Sequence, residues 1–370
     1  MKNGNKFNVK KGGRKMRRTV LTILVLFVVV SLNAGTIFAK PKEDTQAVVP
    51  LEQWERNERV DKKVYKIADE LEYICKKNND DYEAVCWSPT ASKLYFDLGK
   101  VMKKYGEYAL PPIYEIAKDK KRSIILRILM SDALADSKNP GGVRAVIGFL
   151  LDKGESERFR VNAADMLGRI KDTTATTALI ETMEDKNNPE KVRWEAAHSF
   201  VFIHDERAVQ PLLRNLENDP SIEVKKISIS ALGAIGKSTG NKDMVPKLLE
   251  IVKGEENNPL KYFAISALGA MKEERILPLL IERVEKKKML NIDVVIWALG
   301  NIGGPKAKKA LLNLLMNDNE GIRFDAAKAL IKMRDKSVIP EIEKILPTLE
   351  VYHRNMVSDS LSKLREMNNK

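Results

Sequence analysis

The sequence predicts an all-α fold: an α-solenoid of about nine stacked helical hairpins with an N-terminal helical cap. An apolar position recurs every 31 to 36 residues from about residue 90 onward. Around each recurrence the apolar residues follow the 3.6-residue period of a helix, and no strand-like alternation interrupts the series. A hairpin of this length cannot bury its apolar face alone, so neighbouring units must stack into one continuous core.

The recurring position, which we call the anchor, lies on the first helix of each unit. The anchors are Leu98, Leu134, Leu167, Phe200, Leu232, Leu268, Leu299, Leu330 and Leu361. Small or aliphatic residues stand three and four positions before most anchors, glycine often follows directly, and an apolar residue usually stands three positions after. These offsets share one helix face, and small side chains on that face let another helix approach closely.

A second amphipathic helix completes each unit. Proline recurs near its start, as in Pro211 and Pro278, where a missing N–H costs nothing. Asp172, Asp205 and Asp335 stand just before this helix and are expected to cap it, because aspartate is a preferred N-cap residue.

The 39 N-terminal residues are typical of an export signal. They hold eight basic residues and no acidic one, with an apolar run from Val20 to Leu32 after Arg18. The run is shorter than the roughly 20 residues of a membrane span, which favours a cleaved signal peptide over an uncleaved anchor. We therefore expect an exported protein, periplasmic or extracellular, with a membrane anchor over residues 20–39 as the alternative.

The sequence divides into four predicted segments. Residues 1–39 are the signal peptide, 40–56 a linker, 57–89 the N-terminal helical cap and 90–370 the repeat solenoid. The net charge of +13 includes +8 from the signal, so the rest of the chain carries only +5. So small an excess does not call for nucleic acid, and membrane contact is expected only through an uncleaved N-terminal segment.

Cys75 and Cys86 are the two cysteines of the chain. In an exported protein they can oxidise, and the polar residues 78–81 between them can turn the chain back, which predicts a disulfide. Two buried free thiols are the alternative, since cysteine behaves as a small hydrophobe.

The repeats resemble HEAT repeats, in the short form also found in phycobilin lyases. Residues 159–172 (FRVNAADMLGRIKD), 192–197 (VRWEAA) and 322–330 (IRFDAAKAL) carry the resemblance, which extends over roughly residues 90–370. It implies an α-solenoid and says little about activity, because this fold serves many unrelated roles.

A basic residue recurs seven positions before most anchors. The members of this basic column are Arg127, Arg160, Arg193, Lys225, Lys261, Arg323 and Arg354. One interpretation is a cationic stripe for an anionic ligand. The other, which the resemblance to HEAT repeats favours, is that each side chain packs along the next unit and pairs with a nearby acid.

The sequence contains no motif of recognised catalytic or metal chemistry. None of His198, His204 and His353 is followed by Glu, so the His-Glu pairs on which HEAT-type metal hydroxylases depend are absent. No phosphate-binding or nucleophile-elbow glycine pattern occurs either. We therefore expect a protein that is not an enzyme, with no catalytic residue, no metal and no cofactor.

The expected function is that of a protein-binding scaffold of the cell envelope or exterior. Solenoids offer a long concave surface, expected here to be built mainly from the second helices. The candidate partner-binding residues on those helices are Arg214, Lys247, Glu250, Arg283, Asn313 and Lys344. Two alternatives are a lyase or other cofactor-handling enzyme resembling HEAT-repeat bilin lyases, and a nucleic-acid binder resembling HEAT-like DNA glycosylases, which the small charge opposes.

Overall fold

The structure, a computed structural model, describes residues 54–255, 257–286 and 291–367. The predicted signal peptide and most of the predicted linker lie outside these residues. The described residues all belong to one compact unit, Val49–Lys370. They form 19 α-helices joined by turns and short 3₁₀ segments, and no strand occurs among them. The all-α prediction is therefore confirmed.

Two helices, α1 and α2, precede a regular series in which odd-numbered helices are the first helices of the units and even-numbered ones the second helices. In chain order the helices are α1 (Glu58–Lys77), α2 (Tyr82–Cys86), α3 (Pro89–Tyr105), α4 (Leu110–Lys118), α5 (Ile124–Asp136), α6 (Pro140–Leu151), α7 (Glu157–Ile170), α8 (Thr176–Glu184), α9 (Glu190–Ile203), α10 (Val209–Asn218), α11 (Ile222–Thr239), α12 (Val245–Lys253), α13 (Lys261–Ala270), α14 (Leu277–Glu285), α15 (Ile292–Ile302), α16 (Gly304–Leu314), α17 (Glu320–Lys332), α18 (Ile339–Ile345) and α19 (Val351–Glu366).

Eight complete hairpins, α3–α4 to α17–α18, stack in sequence, and the ninth anchor lies in α19, the last helix that the structure describes. All nine anchors are buried, with exposed fractions of 0 to 1%. The anchors therefore form one continuous apolar line through the stack, as the repeat pattern predicts.

Helix α1 packs its apolar face against the first unit. Val60, Val64, Ala68 and Leu71 are fully buried on it, and α1 contacts α3, α4 and α5. In the part of the chain that the structure describes, no helix is both long and apolar enough to cross a membrane.

Side chains at the helix starts satisfy backbone amides as the sequence predicts. The carboxylates of Asp172, Asp205 and Asp335 each accept a hydrogen bond from the amide two residues ahead, at the 3₁₀ turn that leads into a second helix. The capping role expected for them is confirmed.

The closest contacts between units join the first helices. A methyl group placed on Gly233 would stand 2.7 Å from Cβ and 2.9 Å from Cα of Ala267. Gly168, Gly269 and Gly300 meet the residue just before the next anchor in the same way. Because each contact pairs a glycine with an alanine or a serine, consecutive first helices approach more closely than leucine or valine would allow.

We predict that Gly233→Ala destabilises the protein by about 1–3 kcal/mol, because the added methyl group overpacks a contact with backbone atoms that cannot move aside. Gly148→Ala is the matched control: Gly148 is exposed on α6 with no atom within 4 Å of an added methyl group. This control should stabilise the chain by about 0.5–1 kcal/mol through helix propensity. Urea unfolding followed by circular dichroism measures both. Equal effects of the two substitutions would contradict the close contact.

Candidate functional site

Two columns of the first helices vary from unit to unit while the anchors stay constant. The column two residues before the anchor holds Phe96, Asp132, Asp165, His198, Ser230, Ser266, Trp297, Lys328 and Asp359. The column two residues after it holds Lys100, Asp136, Arg169, Phe202, Ala234, Ala270, Asn301, Lys332 and Lys363. Every member is exposed or partly exposed. We call these two columns the first-helix face; core packing does not dictate their chemistry, so they are available for recognition.

The first-helix face is acidic at α5 and α7. The side-chain amide of Asn162 donates a hydrogen bond to Asp132 Oδ1 at 2.8 Å. Asp165 pairs with Arg169 at 3.2 Å. Asp136 forms no ion pair within the described residues. Three carboxylates therefore share one paired guanidinium, and the site carries an excess of negative charge.

Burial penalises that negative charge. It raises the pKa of Asp132 to about 7, although the hydrogen bond from Asn162 and the charge of Arg169 act in the opposite direction. Burial also raises the pKa of Asp136. Tyr82 and Tyr95, on α2 and α3, face the same carboxylates, and burial raises the pKa of each phenol. The aromatic rings thus help form a partly dehydrated acidic site.

Aromatic rings follow at α9. The ring centroids of Trp194 and His198 lie 4.8 Å apart, and those of His198 and Phe202 lie 5.1 Å apart. The three residues are spaced four apart, so they run along one side of the helix. His198 Nδ1 lies 2.8 Å from Glu195 Oε1, which fixes the imidazole between the two rings. We call this group the α9 aromatic stack.

Small residues occupy the first-helix face of the next two units. Ser230 and Ala234 on α11, and Ser266 and Ala270 on α13, present only short side chains there. Trp297 of α15 then stands 42% exposed. The first-helix face therefore forms a shallow depression at α11 and α13, between the α9 aromatic stack and the indole of Trp297.

The carboxyl-terminal part of the first-helix face is mixed in charge. Lys332 Nζ donates to Asn301 Oδ1 at 2.6 Å and lies 5.7 Å from the ring centroid of Trp297. Lys328 has Asp325 beside it, and burial raises the pKa of that carboxyl group, partly offset by the charge of Lys328. No single charge dominates here.

The candidate residues on the second helices do not assemble into one site. Arg214 pairs with Glu184 at 2.8 Å, and Lys247 pairs with Glu217 at 3.3 Å and with Glu250 at 3.1 Å. The pairs with Glu184 and Glu217 tie neighbouring second helices to one another, whereas the pair with Glu250 lies within α12.

The remaining candidates differ in exposure. Lys344 pairs with Glu341 at 2.8 Å and lines an open groove of about 330 Å³ beside Met316, and Asn313 is exposed. Arg283 is buried, with an exposed fraction of 6%, and its guanidinium carbon lies 5.8 Å from the ring centroid of Tyr262. The expectation that Arg283 lies on an exposed binding surface is therefore wrong, because α14 directs this side chain toward α13.

The predicted disulfide is not formed in the structure, where both thiols are free. Cys75 is fully buried on α1, and burial raises the pKa of its thiol to about 11. Residues 82–86 form α2, which carries Cys86 toward Tyr82 and Asp132 rather than back to Cys75. The alternative of free thiols describes the structure.

The basic column ties each unit to its neighbours rather than forming a free cationic stripe. Arg127 Nε donates to the carbonyl of Ala117 and Arg160 Nε to that of Leu150, each at 2.8 Å and each near the end of the preceding second helix. A cation at this end also complements the helix dipole. Lys225, Lys261, Arg323 and Arg354 likewise bond carbonyls just before their own first helix.

Arg193 also pairs with a nearby acid, as the structural interpretation of the basic column predicts. Its Nε and Nη2 donate to the two carboxylate oxygens of Asp219 at 3.0 and 3.1 Å, at the end of α10, the second helix of the same unit. Burial acts to raise the pKa of Asp219, but the bonds from Arg193, the Ser221 amide and Lys186 hold it below its usual value. The interpretation of the basic column as paired, structural cations is supported by these contacts.

No group of three or more His, Cys, Asp or Glu side chains within the described ranges is arranged to hold a metal ion. A second open groove, of about 360 Å³, lies between Tyr114, Phe149 and Asp152 on the second-helix side.

A family profile described as HEAT repeats matches residues 110–200, 145–233, 211–289 and 293–355, together about two thirds of the chain. The chain belongs to the HEAT-repeat family. The expected resemblance is thereby confirmed for the fold; export is a separate matter, which the match does not address. A comparison with curated proteins finds no match.

Three solved structures illustrate the likeness of this HEAT-repeat chain to known folds. The CpcE–CpcF complex of phycocyanin lyase from Nostoc sp. PCC7120 is 21% identical, with a TM-score of 0.41 over 69% of this chain and 94% of that one. Human deoxyhypusine hydroxylase is 19% identical, with a TM-score of 0.35 over 73% and 100%. YibA of Escherichia coli is 18% identical, with a TM-score of 0.39 over 64% and 96%. Identities this low concern the fold alone.

The expectation that the chain is not an enzyme is wrong as stated. The similar folds include a phycocyanin lyase and deoxyhypusine hydroxylase, so the HEAT-repeat architecture occurs in enzymes. The absence of a known catalytic motif from the sequence does not remove that option.

The first-helix face was available in the sequence, since nine units in one chain can be compared with one another. Its two columns change from aspartate to tryptophan to lysine, while the anchors between them are leucine in eight of nine units. Periodicity shows which residues share a helix side but not which side another protein contacts, so the sequence alone does not distinguish this face from the second helices.

We predict that Arg193→Met lowers the free energy of unfolding by about 3 kcal/mol, because Asp219 stays buried with one partner fewer. Asp219 has a lowered pKa in the folded protein, so its bonds stabilise the fold above the unfolded-state pKa and lose that effect as the pH falls through the folded-state pKa. The difference in free energy of unfolding between wild type and variant should therefore become smaller below about pH 4.

The matched control for this prediction is Arg214→Met, which breaks the exposed pair with Glu184. It should cost less than about 1 kcal/mol. Thermal unfolding at pH 3 and pH 7 measures both variants. A loss for Arg193→Met that is no larger than that of the control, or that does not change with pH, contradicts the role assigned to the basic column.

We predict that Asp132→Asn makes the protein more stable at pH 8, by about 1–2 kcal/mol after allowance for solvent screening. The raised pKa of Asp132 means that the folded state holds a proton that the unfolded state has lost. The stabilisation from this proton is complete below pH 4 and is lost as the pH rises through 7. The exposed Asp359, in the same column, supplies the control Asp359→Asn, which should change nothing. Stability of Asp132→Asn equal to wild type at pH 8 would refute the burial of this charge.

Proposed function

We propose that this HEAT-repeat chain is a binding scaffold that recognises another protein on the first-helix face. The observation that carries the proposal is the contrast between the anchors, which are leucine in eight of nine units, and the exposed neighbouring columns, which carry acidic, aromatic, small and basic residues in different units. Exposed tryptophan and phenylalanine on that face, such as Trp297 and Phe96, are residue types enriched at the centres of protein interfaces.

The packing of the two helix layers supports this choice of surface. Consecutive first helices touch through glycine at contacts such as Gly233 with Ala267, whereas consecutive second helices contact one another less extensively. In a curved stack of pairs the more closely packed layer lies on the inner side. We therefore assign the partner-binding surface to the first helices, in place of the second helices favoured by the sequence.

The setting of this function is also a proposal. The basic and apolar segments of residues 1–39 favour export, so we place the scaffold in the periplasm or outside the cell. A membrane anchor over residues 20–39 would keep the same surface available on the outer side of the membrane.

A cofactor-handling enzyme of the bilin-lyase kind is the second candidate. The observation that favours it is Asp132, whose pKa of about 7 suits proton transfer at neutral pH. Tyr82, Tyr95 and Cys86 lie around the same carboxyl group.

Site-specific photo-crosslinking tests the proposed surface. The full chain is produced in its native cells with p-benzoylphenylalanine in place of Ser230 or Ser266 on the first-helix face. The matched controls carry it at Asn313 or Lys344 on the second helices. We expect covalent protein adducts from the first pair alone, because the reactive group reaches only atoms in direct contact.

Two results would overturn the proposal. Adducts from Asn313 or Lys344 alone would return the binding surface to the second helices. No protein adduct from any of the four positions, together with a chromophore that co-purifies and absorbs visible light, would favour the enzyme.

A further inference from the structure

In the acidic part of the first-helix face, the carboxylates outnumber the cations. Asp132, Asp136 and Asp165 lie on adjacent first helices, and within the described ranges Arg169 forms its ion pair with Asp165. The charge of Lys138 acts to lower the pKa of Asp136, but the two side chains form no ion pair. The face is therefore electrostatically complementary to a positive group brought by a partner.

The surface next to this negative charge is apolar. The α9 aromatic stack stands in the adjoining unit, at the same level of its helix as Asp165 and Arg169, because His198 and Phe202 occupy the same two columns. Beyond it the face is low at Ser230 and Ser266. A ligand that meets the carboxylates therefore meets aromatic rings next, and then a surface that leaves room for side chains.

We infer that the first-helix face binds an extended polypeptide segment with a lysine or arginine for the α5 and α7 carboxylates and, three to five residues away, an aromatic or branched aliphatic side chain for the α9 aromatic stack. This inference rests on the proposed function and specifies the chemistry of the partner. It commits to a protein segment, since a nucleic acid would bring phosphates toward the carboxylates.

The spacing follows from helix packing. Neighbouring helix axes lie about 8–10 Å apart. The carboxylates on α5 and α7 are thus one to two helix spacings from α9, or roughly 9–18 Å. An extended chain advances about 3.3 Å per residue, so three to five residues cover most of this distance.

The two chemical groups act together. Tyr82 and Tyr95 add aromatic surface beside the carboxylates, and aromatic rings favour cations near them. Partial dehydration of the site strengthens the attraction between a bound cation and Asp132 relative to an exposed pair. At the far end of the same face, Lys328 lies near Asp325, and Lys332 Nζ donates to Asn301 Oδ1. That end therefore lacks the excess of negative charge found at α5 and α7.

A displayed library of random 16-residue peptides, panned against the full chain, tests the inference. We expect enriched peptides to share a lysine or arginine three to five residues from a phenylalanine, tryptophan, tyrosine, leucine or isoleucine. Binding of a synthetic copy should weaken at least about tenfold in a triple variant, Asp132→Asn with Asp136→Asn and Asp165→Asn. The matched control on the second helices, Glu181→Gln with Glu341→Gln, removes two exposed carboxylates outside the first-helix face and should bind like wild type.

A second variant tests the part of the proposed peptide site that the α9 aromatic stack forms. His198→Ala with Phe202→Ala should weaken the same peptides about tenfold. Circular dichroism establishes that each variant is folded. A measurement on the wild-type chain needs no variant: raising the salt concentration should weaken binding, because screening reduces the attraction of partly exposed charges.

The inference fails if no peptide is enriched, if the enriched peptides lack a cation, or if the triple variant and high salt leave binding unchanged. Such a failure, with crosslinks still formed from Ser230 or Ser266, would leave the proposed binding surface in place and remove only the partner chemistry. Crosslinks from the second helices alone would remove both.

Discussion

The close approach of consecutive first helices is the constraint on which the rest of the structure depends. A glycine just after one anchor meets the residue just before the next, as Gly233 meets Ala267. At this contact only the methyl group of an alanine stands between the two backbones. The helices are therefore close enough for consecutive anchors to form a continuous core. Each hairpin is too small to bury its apolar side alone, so stability comes from the stack.

This packing separates two kinds of position on the same helix. Anchors and glycines face the neighbouring units, and the basic column holds the ends of the second helices through bonds such as Arg127 to Ala117 and Arg193 to Asp219. Apart from Trp297, whose ring lies beside Gly269, the two columns beside the anchor take no part in these contacts. They are therefore where one unit can carry aspartate, the next histidine and another tryptophan without harm to the fold, and where a binding function can reside.

The sequence predicts the fold well because its signals are local. Leucine spacing, the glycine after the anchor and the capping Asp205 each depend on residues within one unit. The sequence predicts the site poorly because the deciding contacts join different helices. Nothing near Arg283 in sequence indicates that it packs beside Tyr262, and the turn after Cys75 does not reveal that Cys86 on α2 lies near Asp132 of α5. Likewise, the charge on Asp132 becomes unusual only when α2, α3 and α7 surround it.

A double-mutant cycle across one first-helix contact tests the central claim most directly. The second substitution, Ala267→Gly, removes the methyl group that an alanine at position 233 would strike, at a cost of about 1 kcal/mol in helix propensity when made alone. We predict that the double variant, Gly233→Ala with Ala267→Gly, loses less free energy of unfolding than the two single variants lose in sum, by at least about 1 kcal/mol. Additivity to within about 0.5 kcal/mol would show that the two backbones are not in contact and would contradict the account.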